Sequence, residues 1–117
     1  MDDGTVVGLG LQLQEPEPGA FAGRGLKVVR LIRGAPSDAC DLICEGDVLV
    51  GVDGHSIMAS SFAKVSAMLR GDEGTFISLD LERTVSDHGV RRTRAFEVTV
   101  RGGRFFLPAE SDADEVE

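Results

Sequence analysis

Apolar and polar positions alternate with a period of two through most of this chain and with a helical period in one place. Ile77, Leu79 and Leu81 share one face of Thr75–Arg83, with Ser78, Asp80 and Glu82 on the other. Phe96, Val98 and Val100 alternate in the same way against Glu97 and Thr99 in the strand Ala95–Val100. The two segments flank the polar stretch Ser86-Asp87-His88-Gly89, which predicts a hairpin. Leu26–Ile32 is rich in β-branched residues and bounded by glycines, so it reads as a strand. Val48–Val52 reads as another, closing on the two-residue hairpin signal Asp53-Gly54. Thr5–Leu13 is an apolar strand interrupted at Gly8 and Gly10, and the turn-rich Glu15–Gly25 that follows reads as a long exposed loop. Ser37–Leu42, after Pro36, is one or two helical turns. Ser61–Leu69 places Phe62, Val65, Met68 and Leu69 at helical spacing, with Ser60 or Ser61 as N-cap and Gly71 as C-cap.

The order β, β, short α, β, longer α, β, β predicts a mostly β fold with two helices (α+β). The expected form is a small, partly open β-barrel of five to six strands, capped by one short and one longer helix. The 117 residues leave room for one domain, expected over residues 5–104, with residues 1–4 as an extension. Residues 105–117 form an acidic tail. The overall charge of −8 is concentrated there: Glu110–Glu117 carries five acids, and without it 15 acids face 12 bases. Such a segment buries too little apolar surface to offset its ordering entropy and is expected to be disordered.

Composition narrows the chemistry further. The aromatics are six Phe with no Trp or Tyr, so no large stacking platform is available and nucleic acid is not expected as a partner. No apolar run approaches the roughly 18 residues of a membrane span, and no targeting signal is seen, so no membrane insertion is expected. Cys40 and Cys44 stand alone at i, i+4, which fits free thiols in a reducing, cytoplasmic setting better than zinc or a disulfide framework; no metal and no cofactor are expected. His55 and His88 lie in turns with no Ser or Cys beside them, and no catalytic constellation is present. Arg91, Arg92 and Arg94 read as a solvated hairpin, and Arg70-Gly71-Asp72 as a helix end.

Four segments, in order, carry a resemblance. Gly8-Leu9-Gly10-Leu11 resembles the GLGF carboxylate-binding loop of PDZ domains. Gly25-Leu26-Lys27-Val28 with Gly34-Ala35-Pro36 resembles that family's second strand pair entering its short helix. Glu45–Gly54 resembles its GD-x-hydrophobic-L-x-x-V-D/N-G signature, and Met68-Leu69-Arg70-Gly71 followed by Gly74-Thr75 resembles its LLRG-x-x-GT helix end. The resemblance implies a peptide-recognition module that binds the C-terminal ends of partner proteins ending in an apolar residue, by β-strand addition between the second strand and the longer helix. It implies a peptide-binding set of Leu9, Gly10, Leu11, Gln12, Leu13, Phe62, Ser66 and Leu69. The glycines free the turn to aim the backbone N–H groups of Leu9, Gly10 and Leu11 at one carboxylate. Leu11–Leu13 is expected to offer an unpaired edge to the ligand.

Phe62 occupies the first groove-facing position of the helix, where the family's His favours Ser or Thr two residues before the ligand's end; Phe62 implies an apolar residue there instead. A G-x-G-x-x-G nucleotide loop is excluded because position 13 is Leu13. Two departures stand out. Asp2 and Asp3 lie where many PDZ domains put a Lys or Arg near the carboxylate, and Asp41 stands where the family often has Gly, a place Asp tolerates. The late strand Ala95–Val100 resembles the arrangement in PDZ domains of C-terminal processing peptidases. The alternative function is therefore the substrate-recognition module of such a protease, whose Ser/Lys pair would lie on another domain. A monomer is expected.

Overall fold

A computed structural model describes residues 5–15, 25–70 and 73–103. Within them seven strands form one mostly antiparallel sheet, accompanied by two helices. The strands are β1 (Thr5–Val6), β2 (Leu11–Leu13), β3 (Leu26–Leu31), β4 (Val48–Val52), β5 (His55–Ser56), β6 (Phe76–Asp87) and β7 (Val90–Arg101), and the helices are α1 (Pro36–Ala39) and α2 (Phe62–Met68). The spatial order is β1-β2-β3-β4-β6-β7, with β5 a short branch on β4. Its two end strands do not pair, so the expected barrel is an open, curled sheet with more strands than the five or six anticipated. The two-residue β1 and β5 are too short to leave an alternation that could be read.

One cluster of buried residues holds the layers together. Leu11 and Leu13 of β2, Val28 of β3, Leu49 and Val52 of β4, Leu79 and Leu81 of β6, and Val98 and Val100 of β7 face it from the sheet. Val65 and Leu69 face it from α2, while Phe62 and Met68 pack half-buried on its margin. This is the helical stripe read from the sequence, now with its inward face identified. Ser61 caps α2, its Oγ accepting the Lys64 N–H at 3.2 Å. The expected C-cap, Gly71, lies outside the described residues, as do Asp72, most of the loop after Glu15 and the tail from 104 onward.

The β6–β7 hairpin is far longer than the alternating segments suggested. Pairing runs unbroken from Phe76↔Arg101 to Asp87↔Val90. Its turn places His88 at φ 51° and Gly89 at φ 80°, the two positive φ values that a type I′ turn demands and that match the twist of the flanking strands. Asp53 (φ 51°) and Gly54 (φ 81°) do the same between β4 and β5, where the hairpin signal had put a turn. Asp41 takes φ 60°, the left-handed position that its short polar side chain tolerates. Helix α1 is shorter than Ser37–Leu42, because that left-handed residue stops it.

One polar network fastens β6 to the turn before β4. Asp47, buried, receives two bonds from Arg83: Nε to Oδ1 at 2.8 Å and Nη2 to Oδ2 at 2.8 Å. The same carboxylate accepts the Cys44 N–H at 2.9 Å, and Arg83 also reaches the Leu42 carbonyl at 3.1 Å. The guanidinium lies over the Phe96 ring, 4.7 Å from its centroid. Its hydrogen bond with Asp47 holds Arg83 even more firmly protonated than usual. A bidentate, charge-assisted pair of this kind satisfies a buried carboxylate that would otherwise be costly to desolvate.

Candidate functional site

The Gly8–Gly10 segment forms a tight turn that delivers the chain into β2. Leu9 sits at φ 68°, ψ 2°, as the third residue of a type II turn must, and the Gly10 N–H donates to the Val7 carbonyl at 3.2 Å. A left-handed leucine costs about 1–2 kcal/mol. Burying its side chain, which is 2% exposed, recovers about 1.5–3 kcal/mol, so burial decides the conformation. Two glycines make the turn possible by close approach. A Cβ on Gly8 would lie 2.0 Å from the Leu69 carbonyl oxygen at the end of α2, and one on Gly10, at φ 76°, would lie 2.1 Å from the Ala35 Cβ. The Ile32 N–H donates to the Gly10 carbonyl at 2.9 Å and ties the turn to the end of β3.

The residues named from the sequence divide by burial. Leu9, Leu11, Leu13 and Leu69 are buried in the common core. Gly10 is buried in the turn, and Gln12 is half-buried on the opposite face of β2 from Leu11 and Leu13. Phe62 and Ser66 are half-buried, one helical turn apart on α2. The turn and the C-terminal end of α2 meet at the Gly8–Leu69 contact.

One expectation is corrected by the pairing of β2. Its far edge is not open: β1 occupies it, with Thr5 opposite Leu13 and Val6 opposite Gln12. The Val7 N–H continues the ladder to the Leu11 carbonyl at 2.8 Å. The three-residue turn sends the chain straight back along β2, and the strand it has just left is the nearest partner for that edge. Val7 is buried with Leu9 and Leu11 in the core cluster, and Thr5 donates its hydroxyl to the Glu15 carboxylate. The pairing of Thr5 and Val6 with β2 is not legible in the sequence, because Thr5–Leu13 reads as one interrupted strand rather than as a strand folded back on itself. The Asp47–Arg83 pair was also missed, since 36 residues separate its members and neither has a local pattern to announce the other.

Two clefts lie away from the turn. One of about 300 Å³ is lined by Lys27, Val28, Val29, Glu45 and Gly46, and one of about 230 Å³ by Arg83, Val85, Arg94 and Phe96. Arg91, Arg92 and Arg94 are exposed on the outer part of β7. Among the described residues no group of three or more His, Cys, Asp or Glu could hold a metal ion, and no helix is long and apolar enough to cross a membrane.

Residues 27–83 match the family model of the PDZ domain. The fold is similar to the crystal structure of the PDZ domain of the carboxy-terminal protease from Vibrio cholerae in complex with peptide, with a TM-score of 0.63 at 20% identity, covering 86% of this chain and 98% of that one. It is also similar to the photosystem II D1 C-terminal processing protease, with a TM-score of 0.58 at 24% identity, covering 88% of this chain and 25% of that one. No curated protein matches the sequence. The family match begins after the Gly8–Leu11 turn, so the turn's correspondence rests on its own sequence and geometry.

Proposed function

We propose that this chain, a PDZ-like domain, is a binding module that takes the free C-terminal end of a partner polypeptide beside α2, as a strand on β2 in place of the two-residue β1. What carries the proposal is the Gly8–Leu11 turn, whose sequence resembles a carboxylate-binding loop and which abuts the end of α2. A terminal carboxylate is a charged acceptor, and successive N–H groups of a glycine-rich turn can meet it without side-chain obstruction. Leu9, Leu11 and Leu69, buried in the core beside the turn, form the apolar floor beneath the place of the ligand's last residue. Gln12 and Leu13 continue the ladder, and Phe62 and Ser66 border the positions before the end. The module itself performs no catalysis.

The second reading is that this module recognises substrate for a C-terminal processing protease. It is favoured by the fold shared with two such proteases, one of them solved as a PDZ domain with peptide bound. In either case the ligand chemistry is the same. Titration of the chain with a peptide ending in an apolar residue, and with its C-terminal amide, tests the carboxylate's role. Binding of the acid on the order of micromolar is expected for so small an interface, with the amide at least tenfold weaker. Equal binding of the two refutes it.

A further inference from the structure

We infer that the overhanging basic face of the β6–β7 hairpin is a docking surface for an extended acidic segment, and that its occupant is this chain's own Glu110–Glu117. Directly opposed residues of an antiparallel pair share a face, so the face that carries Leu81 and Phe96 against the core runs on past it through Arg83↔Arg94 and Val85↔Arg92. Two arginines set directly opposite each other repel, and a third follows on the same face. Arg83 commits Nε and Nη2 to Asp47 and the Leu42 carbonyl, which leaves Nη1 uncommitted among the described residues. Arg92 and Arg94 are exposed and have no ion-pair partner among the described residues. The one carboxylate farther out on this face, Asp87, lies 3.3 Å from His88 at the tip. The cleft of about 230 Å³ is lined by both opposed arginines, with Val85 and Phe96 as apolar walls, so a carboxylate seated there would meet two cations.

Strand β7 ends the sheet and pairs only with β6 among the described residues, so its outer edge from Val90 to Ala95 is open. A second copy of that edge is a poor occupant, because Arg91, Arg92 and Arg94 would be brought against their own copies. An acidic strand fits instead. Arg92 and Arg94 stand at alternate positions, and Glu110, Asp112 and Asp114 alternate with the same period, separated by Ser111 and Ala113. Laid antiparallel to β7 with Asp112 opposite Arg94, the segment brings Asp114 opposite Arg92 on one face and Glu115 opposite Arg91 on the other. Nine residues separate Arg94 from Gly103 and nine separate Gly103 from Asp112, so the outward and return paths are each about 30 Å at about 3.3 Å per residue. On so short a tether the segment meets the face at an effective concentration on the order of millimolar. The attraction is between exposed charges and needs no apolar burial, so it weakens as salt shortens the screening length from about 8 Å at 0.15 M to about 3 Å at 1 M.

The test uses the full chain with its tail neutralised by Glu110→Gln, Asp112→Asn, Asp114→Asn, Glu115→Gln and Glu117→Gln. The probe is a fluorescent peptide of the natural residues 104–117, amidated at its C-terminus so that it offers no terminal carboxylate to the Gly8–Leu11 turn. The neutralised chain is expected to bind the probe at low salt and to lose it at 1 M salt. The parent chain should bind it about tenfold more weakly, because its own tail competes for the face. Adding Arg92→Glu and Arg94→Glu to the neutralised chain should abolish binding; both side chains are exposed, and Arg92→Gln with Arg94→Gln gives the same reading if charge reversal lowers the Tm. Three results overturn the inference: no binding by the neutralised chain, equal binding by parent and neutralised chains, or binding that survives the loss of Arg92 and Arg94. None of the three bears on the peptide groove, which the amidated probe leaves untested by design and the acid-against-amide titration decides separately.

Discussion

Gly10→Ala tests how much the close approach of the Gly8–Gly10 turn to the start of α1 contributes to the fold. Two penalties combine in that variant. At φ 76° an alanine pays about 1–2 kcal/mol for the left-handed backbone. Its methyl would also lie 2.1 Å from the Ala35 Cβ, and Ala35 is fully buried with nowhere to move, so overpacking adds about 1–3 kcal/mol. The sum is roughly 2–5 kcal/mol, or a fall in Tm of roughly 8–20 °C for a chain of this size. Ala35→Gly alone removes one buried methyl and adds chain freedom in the unfolded state, about 1–2 kcal/mol in all. In the double variant the new methyl at position 10 fills the space vacated at position 35, and only the backbone strain and the glycine's freedom remain. Urea unfolding of the four proteins should therefore give a coupling of about 1–3 kcal/mol in favour of the double variant. If the two changes add to within about 0.5 kcal/mol, the turn does not rest on Ala35, and the positioning of the Gly10 N–H must come from elsewhere.

Asp47→Ala leaves Arg83 without its partner and the Cys44 N–H without an acceptor. Because the Arg83 side chain is 37% exposed and can rehydrate, the loss should fall at the low end for a broken buried pair, about 3 kcal/mol by urea midpoint, and a loss under about 1 kcal/mol would show the pair to be incidental. Phe62→His gives the first turn of α2 an acceptor for a hydroxyl, so a C-terminal peptide library should shift toward Ser or Thr at the third-last position by about tenfold. An unchanged consensus would place Phe62 wholly in the core margin it already borders.

Period and turn chemistry made most of the architecture legible. Ile77, Leu79 and Leu81 could share a face only as a strand, Val65 and Leu69 only as a helix, and Asp53-Gly54 and His88-Gly89 adopt the positive φ values their types allow. These are local properties, governed by the side chains of a few consecutive residues. The glycines at positions 8 and 10 likewise announced a turn able to aim backbone donors. What they could not announce was the company that turn keeps. The Leu69 carbonyl against Gly8, the Ala35 methyl against Gly10 and the Arg83 guanidinium on Asp47 bring together residues 25 to 61 positions apart, and each depends on how the sheet curls and where α2 docks. The edge of β2 is the clearest case. An exposed strand edge offers unsatisfied N–H and C=O groups to whatever strand is nearest, and nothing in the side chains of Leu11–Leu13 says whether that strand comes from a partner or from the same chain. Folding put Thr5 and Val6 there because a three-residue turn returns them to that edge at high effective concentration.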